Sequence, residues 1–277
     1  MKVGVLHPGA MGASVAQALS ANGHEVFWCQ VSRSAETRNR AEAAGAKSCA
    51  SLGELCNLCE VIVSVCPPES ASQLAEEVAA QNFAGLFADV NAIAPQRALQ
   101  ISKHFPDRYV DGGIIGPPAL QPGTTRLYLS GPRASEVHQL FNKSALEPLV
   151  MTGALTAASA LKMCYASWAK GSAALLLNTR ALAEALDIGD SLEAEWERSQ
   201  AGTLARAQAT IAGTAPKAWR FTGEMDEIAA TFAAADLPDG FHKGAADFYQ
   251  RLAAFKDQTG VSLADMFELL ATEQQPD

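Results

Sequence analysis

The order of the predicted secondary structure restricts the fold more than any other feature of this sequence. In the first half of the chain, short β-branched runs alternate with helical patterns, whereas past Gly153 the strand pattern disappears. Strands that alternate with helices of about ten to fifteen residues are typical of βαβ units on a mostly parallel sheet. Strands are predicted at Val3 to Leu6, Glu25 to Cys29, Val61 to Val65, Leu86 to Asp89, Tyr109 to Ile115 and Leu127 to Ser130.

The second half of the chain is predicted to be helical throughout. The Ala- and Leu-rich segment from Leu155 to Leu186 lacks Pro and predicts one long helix. Further helices are predicted at Glu193 to Ile211, Glu224 to Ala235, Gly240 to Phe255 and Leu263 to Ala271. We therefore predict an α/β chain with two domains joined by the long helix: a Rossmann-type doubly wound domain over residues 1–152, and an all-α substrate and dimerisation domain over residues 153–277. A long apolar helix needs burial on more than one side, which favours a homodimer.

Charge and composition exclude several classes of function. The formal net charge is −9 and no basic stripe is present, so neither a nucleic acid nor an anionic membrane is an expected partner. No long apolar run and no leader pattern is seen, which predicts a cytoplasmic protein. Cys56 and Cys59 form a C-x-x-C pair, but the five histidines are scattered, so we predict buried thiols and no metal site.

A candidate phosphate-binding turn follows the first predicted strand. Backbone amides at a helix N-terminus, with glycines that let the backbone approach closely, suit a pyrophosphate. The pattern G-x-G-x-x-G is broken at its first position by His7, so an ordinary strand-to-helix turn is an alternative. The residues of the turn are His7, Pro8, Gly9, Ala10, Met11 and Gly12.

The residues after the second predicted strand indicate which dinucleotide is bound. NAD-specific folds place an acid on the ribose 2′-hydroxyl about twenty residues beyond the glycine turn. The segment from Cys29 to Ser34 contains no Asp or Glu. Ser32, Arg33 and Arg38 offer a hydroxyl and two guanidinium groups, which suit the 2′-phosphate of NADP. We predict NADP as the cofactor, with a solvated helix face as the alternative role of Arg38.

Five segments occur in an order that a known superfamily shares. They are Val3 to Gly12, Val61 to Pro67, Asp89 to Pro95, Asp111 to Gly116 and a lysine-bearing helix after Gly153. In these segments the chain resembles the β-hydroxyacid dehydrogenase and 6-phosphogluconate dehydrogenase superfamily, in a less-studied branch with a distinct C-terminal helical domain. The resemblance implies that the loops after the fourth and fifth strands flank the nicotinamide ribose, and that Lys162 is the catalytic lysine. The loop residues concerned are Cys66, Pro67, Asn91 and Ala92.

The sequence departs from the family pattern at the predicted substrate pocket. Where the family has D-x-P-x-S-G-G, this chain has Asp111 to Pro117, so Ile115 replaces a serine that helps to hold a substrate carboxylate. Where the family has K-x-x-N-N, Tyr165 and Ala166 replace both asparagines. The reaction type is therefore better supported than a β-hydroxyacid substrate. The predicted pocket residues in this segment are Gly112, Gly113, Ile115 and Gly116.

A lysine near a reacting hydroxyl can take or give the proton that accompanies hydride transfer. Helical spacing puts Tyr165 and Lys170 near the face of Lys162, and we predict all three as catalytic residues. The alternative for each of the three is that it caps the helix or extends along an exposed flank. In the helical domain, Trp219 and His242 are candidates to close over the substrate, together with Arg220 and Glu224. Their alternative role is hydrogen bonding between helices or contact with a partner.

Three functions stay open on the sequence. The main prediction is an NADP-dependent dehydrogenase or reductase that acts on the CH–OH group of a small hydroxy or keto substrate. Imine reduction on the same fold is the second; imine reductases of this architecture commonly carry another proton donor at the lysine position, so Lys162 counts against it. A catalytically silent NADP-binding sensor or scaffold is the third, because several pocket residues of the family are replaced.

Overall fold

The structure, a computed structural model, describes residues 1–272. The chain forms two compact units, Met1–Met163 and a second unit that begins at Cys164. The division falls within one long helix, and the predicted domain division at residues 152 and 153 lies just before that helix. No helix among residues 1–272 combines the length and the apolar character that a membrane crossing requires.

The first unit is built on an eight-stranded sheet with the strand order β3-β2-β1-β4-β5-β6-β7-β8. Strands β1 to β6 pair in parallel, β7 runs antiparallel to β6, and β8 pairs in parallel with β7. The order 3-2-1-4-5-6 is that of the Rossmann fold, so the predicted fold class is confirmed. The strands are β1 Lys2–Val5, β2 Glu25–Cys29, β3 Lys47–Cys49, β4 Val61–Ser64, β5 Leu86–Asp89, β6 Tyr109–Ile115, β7 Thr125–Ser130 and β8 Leu146–Val150.

Helices cover both faces of this sheet and bury two hydrophobic clusters. One cluster contains Val3, Val63 and Trp28, and the other contains Ile62 and Phe87. Because successive residues of a strand point to opposite faces, Ile62 and Val63 enter different clusters, and β4 is buried on both sides. The helices of this unit are α1 Ala10–Ala21, α2 Ala35–Ala43, α3 Leu52–Leu58, α4 Ala71–Ala80, α5 Pro95–Ser102 and α6 Ala134–Gln139.

The long predicted helix is confirmed as α7, Ala157–Ala185, whose later residues open the second unit. Helix α10 packs against α11 through buried side chains that include Met225, Ile228 and Phe248. The described residues beyond α7 contain helices and turns without a strand, as predicted. The remaining helices are α8 Gly189–Ser199, α9 Thr203–Thr214, α10 Ala218–Ala234, α11 Gly240–Arg251 and α12 Leu263–Thr272.

One helix prediction in this region was wrong, and another placed the start of its helix too late. The single helix expected from Glu193 to Ile211 is two helices, because Gly202 adopts a φ of 85° and interrupts the pattern between α8 and α9. Glycine takes this left-handed conformation without the steric cost of a Cβ atom. Helix α10 begins at Ala218, earlier than the expected Glu224.

Candidate cofactor and proton-transfer site

The glycine turn between β1 and α1 is a tight turn that ends at the N-terminus of a helix. A Cβ atom on Gly12 would lie 2.0 Å from the carbonyl oxygen of His7, so only glycine fits there. Gly9 precedes α1 as its N-cap, and no side chain in the described part of the chain caps the helix. The first amides of α1 are therefore available to an anion, and the helix dipole favours negative charge at this end. The residues present thus fit the pyrophosphate of a dinucleotide.

Arg33 lies beside this turn, although 26 residues separate it from His7 in the sequence. Its Nη1 donates a hydrogen bond to Nδ1 of His7 at 3.0 Å. Its Nε is buried and has no hydrogen-bond partner among the described residues. Ser32, at the preceding position, is exposed and adopts a φ of 58°. Arg38 is exposed on α2, so the structure brings Arg33 to the turn and leaves the alternative role of Arg38 open.

A row of polar side chains crosses four adjacent strands of the sheet. Ser64 pairs in register with Asp89, Asp89 with Asp111, and Asp111 with Ser130. Residues in register on neighbouring strands point to the same face. All four are buried, with 0–1% of their surface exposed. This row was not predicted from the sequence, although each of the four strands carries a polar residue at a comparable position.

Asn91 uses this row to join the loops after β4 and β5. Its Oδ1 accepts from the backbone amide of Cys66 at 2.6 Å. Its Nδ2 donates to Oγ of Ser64 at 2.9 Å and to Oδ1 of Asp89 at 2.7 Å. The predicted cofactor residues of these two loops are therefore brought together: Asn91 is buried, and Cys66, Pro67 and Ala92 are partly exposed.

Asp89 has an unusual acidity for a carboxyl group. Its burial raises its pKa to about 7, although hydrogen bonds from Asn91 oppose the shift. The Tyr109 hydroxyl lies close by, and the pKa of Tyr109 is raised by burial and by the charges of Asp89 and Asp111. The pKa of Asp111 is raised by burial against the hydrogen bonds that it accepts from Ser159.

Asp111 and Ser130 bind the first turn of α7. The Asp111 carboxylate accepts from the backbone amide of Ser159 at 2.8 Å and from its hydroxyl at 2.5 Å. The Ser130 hydroxyl accepts from the amide of Ala158 at 3.0 Å and donates to the carbonyl of Leu155 at 2.9 Å. Amides at a helix N-terminus lack partners within the helix, so these contacts anchor the start of α7 to the sheet.

This anchor places Lys162 next to the predicted substrate segment. A Cβ atom on Gly113 would lie 2.8 Å from the carbonyl oxygen of Ala158 and 3.0 Å from Cβ of Lys162. Lys162 is partly exposed and follows the anchored turn of α7. Glycine at position 113 thus allows β6 and the lysine-bearing turn to approach closely.

The other predicted pocket residues lie along β6 and just after it. Gly112 packs against Val90, since a Cβ atom there would lie 2.5 Å from Cγ1 of that residue. Ile115 is buried at the end of β6, and Gly116 follows it exposed with a φ of 132°. The structure therefore brings Gly113 to Lys162 and places Ile115 within the sheet. A substrate role for Gly112, Ile115 and Gly116 stays a prediction.

The predicted residues of the second unit form contacts of their own. Lys170 pairs with Glu224, Nζ to Oε2, at 2.5 Å, and its Nζ lies 4.7 Å from the ring centre of Phe221. His242 is buried, and its Nε2 forms a hydrogen bond with Oγ of Ser167 at 3.0 Å. Its pKa is lowered by burial. These contacts support hydrogen bonding between helices as the role of His242, and they place Lys170 in a largely buried ion pair rather than on an exposed flank.

Two further aromatic candidates in this unit differ in exposure. Trp219 is partly exposed, and Lys256 and Arg220 both lie near its ring. Tyr165 is 50% exposed on α7. Their predicted contacts with substrate stay predictions.

The cysteine pair does not resemble a metal centre. Cys56 and Cys59 are buried, and burial raises the pKa of their thiols to about 11 and about 12. Within residues 1–272, no three His, Cys, Asp or Glu side chains converge as metal ligands would.

Two family models match separate parts of the chain. Residues 2–88 match the model described as NADP oxidoreductase, coenzyme F420-dependent, which covers the glycine turn, Arg33 and Cys66. Residues 183–252 match a domain of unknown function, DUF1932.

Similar proteins extend the match over most of the chain. A curated relative, the uncharacterized 28.5 kDa protein in the 7S RNA 5′ region of Methanothermus fervidus, is 26% identical over 69% of this chain and 74% of its own length. A solved protein of unknown function, reported as structurally similar to 3-hydroxyacid dehydrogenases, is 25% identical with a TM-score of 0.67, over 92% of this chain and 98% of its own. The 3-hydroxyisobutyrate dehydrogenase of Mycobacterium tuberculosis is 18% identical with a TM-score of 0.71, over 99% of both chains.

The chain resembles 3-hydroxyacid dehydrogenases in fold. The predicted superfamily resemblance, with its distinct C-terminal helical part, is therefore confirmed. Solved imine reductases share the fold of this chain at a TM-score of 0.53 in each of two cases.

Proposed function

We propose that this chain is an NADP-dependent oxidoreductase that transfers a hydride between nicotinamide and a small hydroxy or keto substrate, with Lys162 as the proton-transfer residue. The placement of Lys162 carries the proposal. The lysine lies against Gly113 at the anchored start of α7, and the same polar row holds the loops that contain Cys66 and Asn91. Because the carboxyl ends of parallel strands form the binding crevice of open α/β sheets, these loops are the expected position of the cofactor.

The cofactor assignment is supported by the glycine turn and by Arg33. The turn offers the amides of α1 to a pyrophosphate. The buried Nε of Arg33 has no partner within residues 1–272, and a phosphate oxygen would supply one. No acid follows β2 where an NAD-specific fold would place one. When bound, the nicotinamide supplies or accepts the hydride.

Lys162 would handle the proton that the hydride leaves behind. In alcohol oxidation, the hydroxyl O–H bond breaks and its proton passes to the neutral amine of Lys162, while the carbon loses its hydride. In carbonyl reduction, the Lys162 ammonium donates a proton to the oxygen as the carbon gains a hydride. Such assistance is typically worth about 10²–10⁴ in rate.

The substrate class follows from the buried, apolar end of β6. Ile115 offers no hydrogen bond where the family pattern has a serine, so a small substrate that makes fewer polar contacts than a β-hydroxyacid fits better. We expect the protein to act in the cytoplasm as a homodimer. Helix α7 supports dimerisation, because it exposes Trp168, Leu175 and Leu182 at seven-residue intervals.

Imine reduction is the second candidate, supported by the fold shared with solved imine reductases. The proton donor would again be Lys162, acting on nitrogen. A panel of small hydroxy, keto and imine compounds, assayed with NADP(H), distinguishes the two activities. Cofactor binding without turnover of any of them would favour the silent sensor.

The decisive experiment replaces the amine and keeps its stem. Lys162→Met should fold, bind NADPH with unchanged affinity and lose at least about a hundredfold in kcat on the best substrate. Lys103→Met, at an exposed position after α5, is the matched control and should keep full activity. Near-normal turnover by Lys162→Met would remove the lysine from the mechanism.

A further inference from the structure

The imidazole of His7 lies between two parts of the candidate cofactor site. Its Nδ1 is 3.0 Å from Nη1 of Arg33. Its opposite edge faces the glycine turn, since a Cβ atom on Gly9 would lie 3.3 Å from Cδ2 and 3.4 Å from Nε2 of His7. His7 also occupies the position where the dinucleotide pattern has its first glycine, which could make neither contact.

The hydrogen bond to Arg33 determines the protonation of the His7 ring. A guanidinium group has only donors, so Nδ1 must accept. A ring that accepts at Nδ1 is neutral and carries its proton on Nε2. The pKa of His7 is lowered by burial and by the positive charges of Arg33 and Arg40, which agrees with the neutral form. The remaining donor, Nε2–H, is thus on the side of the turn.

The same hydrogen bond restrains Arg33. An arginine side chain loses considerable conformational entropy when it is ordered. Because His7 already restrains the Arg33 guanidinium, Arg33 can bind a ligand at a lower entropic cost. One nitrogen of the guanidinium is used by His7, whereas Nε is buried without a partner in the described part of the chain.

We propose that His7 is a specificity-determining residue for the cofactor, with two roles: its Nδ1 holds Arg33 in place for a 2′-phosphate, and its Nε2–H is a donor to a phosphate oxygen in the glycine turn. The inference rests on the proposed function in that the dinucleotide is NADP. It assigns part of the preference for NADP over NAD to a residue that does not itself bind the 2′-phosphate.

The two roles are separable by substitution. His7→Ala removes both nitrogens, whereas His7→Asn places an amide oxygen near the Nδ1 position and lacks the Nε2 donor. Dissociation constants for NADPH and NADH, measured by cofactor fluorescence, should show that His7→Ala weakens NADPH about ten- to a hundredfold and NADH less. His7→Asn should weaken both cofactors to a similar degree and so preserve the preference. Thermal melts of each variant verify folding.

A double-mutant cycle with Arg33→Ala tests the coupling. If His7 acts through Arg33, then His7→Ala in the Arg33→Ala background should leave the ratio of NADPH to NADH affinity unchanged. Additive effects on that ratio would overturn the inference, as would full loss of the preference in His7→Asn. Failure of the wild-type protein to bind either cofactor would instead refute the proposed function.

Discussion

Cβ of Lys162 lies 3.0 Å from the point that a Cβ atom on Gly113 would occupy. Lys162 can therefore lie this close to β6 only because Gly113 has no side chain. A methyl group at position 113 would contact the backbone of α7 at Ala158 before it reached the flexible part of the lysine.

Gly113→Ala should accordingly reduce activity and stability together. We expect a loss of about 1–3 kcal/mol in the free energy of unfolding, because an extra methyl group overpacks a site bounded by backbone. We also expect a fall in kcat with little change in NADPH affinity, since the glycine turn is untouched. Denaturant melts and steady-state kinetics measure both quantities.

Gly213→Ala is the matched control for this substitution. Gly213 lies within α9, and apart from its own helical turn the described residues place no atom within 4 Å of its added Cβ position, so alanine should be neutral or stabilising. Equal effects of the two substitutions on kcat would contradict the positioning role of Gly113.

The raised pKa of Asp89 predicts a pH-dependent stability. The pKa of the Asp89 carboxyl is about 7 in the folded protein, against an ordinary value of 3.8. Between pH 4 and pH 7 this carboxyl is therefore ionised in the unfolded chain and protonated in the folded protein. The free energy of unfolding should therefore decrease as the pH rises through this window, by up to about 1.4 kcal/mol per pH unit from this group.

Asp89→Asn should remove that contribution. The amide keeps an oxygen at the position that accepts from Asn91 and cannot ionise. The variant should become more stable relative to the wild-type protein as the pH rises from about 4 to about 7, in urea melts at several pH values. A constant difference over this range would show that Asp89 is ionised in the folded protein.

The exposed apolar residues of α7 predict a dimer that a single charge can disrupt. Leu175 is 56% exposed and lies one heptad from Trp168 and Leu182. Leu175→Glu should give a monomer in sedimentation experiments, because a buried unpaired carboxylate opposes association. Leu99→Glu, at an exposed leucine of α5, should leave the dimer intact. A monomeric wild-type protein would refute the prediction.

The ion pair of Lys170 allows its structural role to be tested separately from a catalytic role. The side chains of Lys170 and Glu224 are 16% and 17% exposed. Lys170→Met therefore removes the ion pair to the Glu224 carboxylate, which stays in a partly desolvated position. We expect Lys170→Met to lower the melting temperature and to change kcat much less than Lys162→Met does. A loss of kcat comparable to that of Lys162→Met would show that Lys170 takes part in catalysis.

The strands that were predicted from the sequence are those with a clear local pattern of residues. The strands β1, β2, β4, β5, β6 and β7 were predicted, because short apolar runs rich in β-branched residues are a local pattern. Strand β3 was missed because its three residues, Lys47–Cys49, carry no such run. Strand β8 was missed because it includes Pro148, which sequence rules place at sheet edges.

The site was predictable only where a known motif occupied it. The glycine turn and Arg33 follow a βαβ pattern of fixed length, so a cofactor-binding role could be proposed for them. The pairing of Asp89 with Asp111 depends on strand register, and the contact of Asp111 with Ser159 joins residues 48 positions apart. No sequence periodicity encodes contacts of that kind, because they form only when the sheet and α7 are assembled.

The anchored start of α7 also has a kinetic consequence. The first amides of a helix ordinarily exchange their hydrogens with solvent at once, because they have no partner in the helix. In this protein the amides of Ala158 and Ser159 donate to Ser130 and Asp111, which belong to the core of the sheet. Their deuterium uptake should therefore follow the opening of β6 and β7 rather than the fraying of a helix end, which makes these two amides reporters of whether the turn preceding Lys162 is in place.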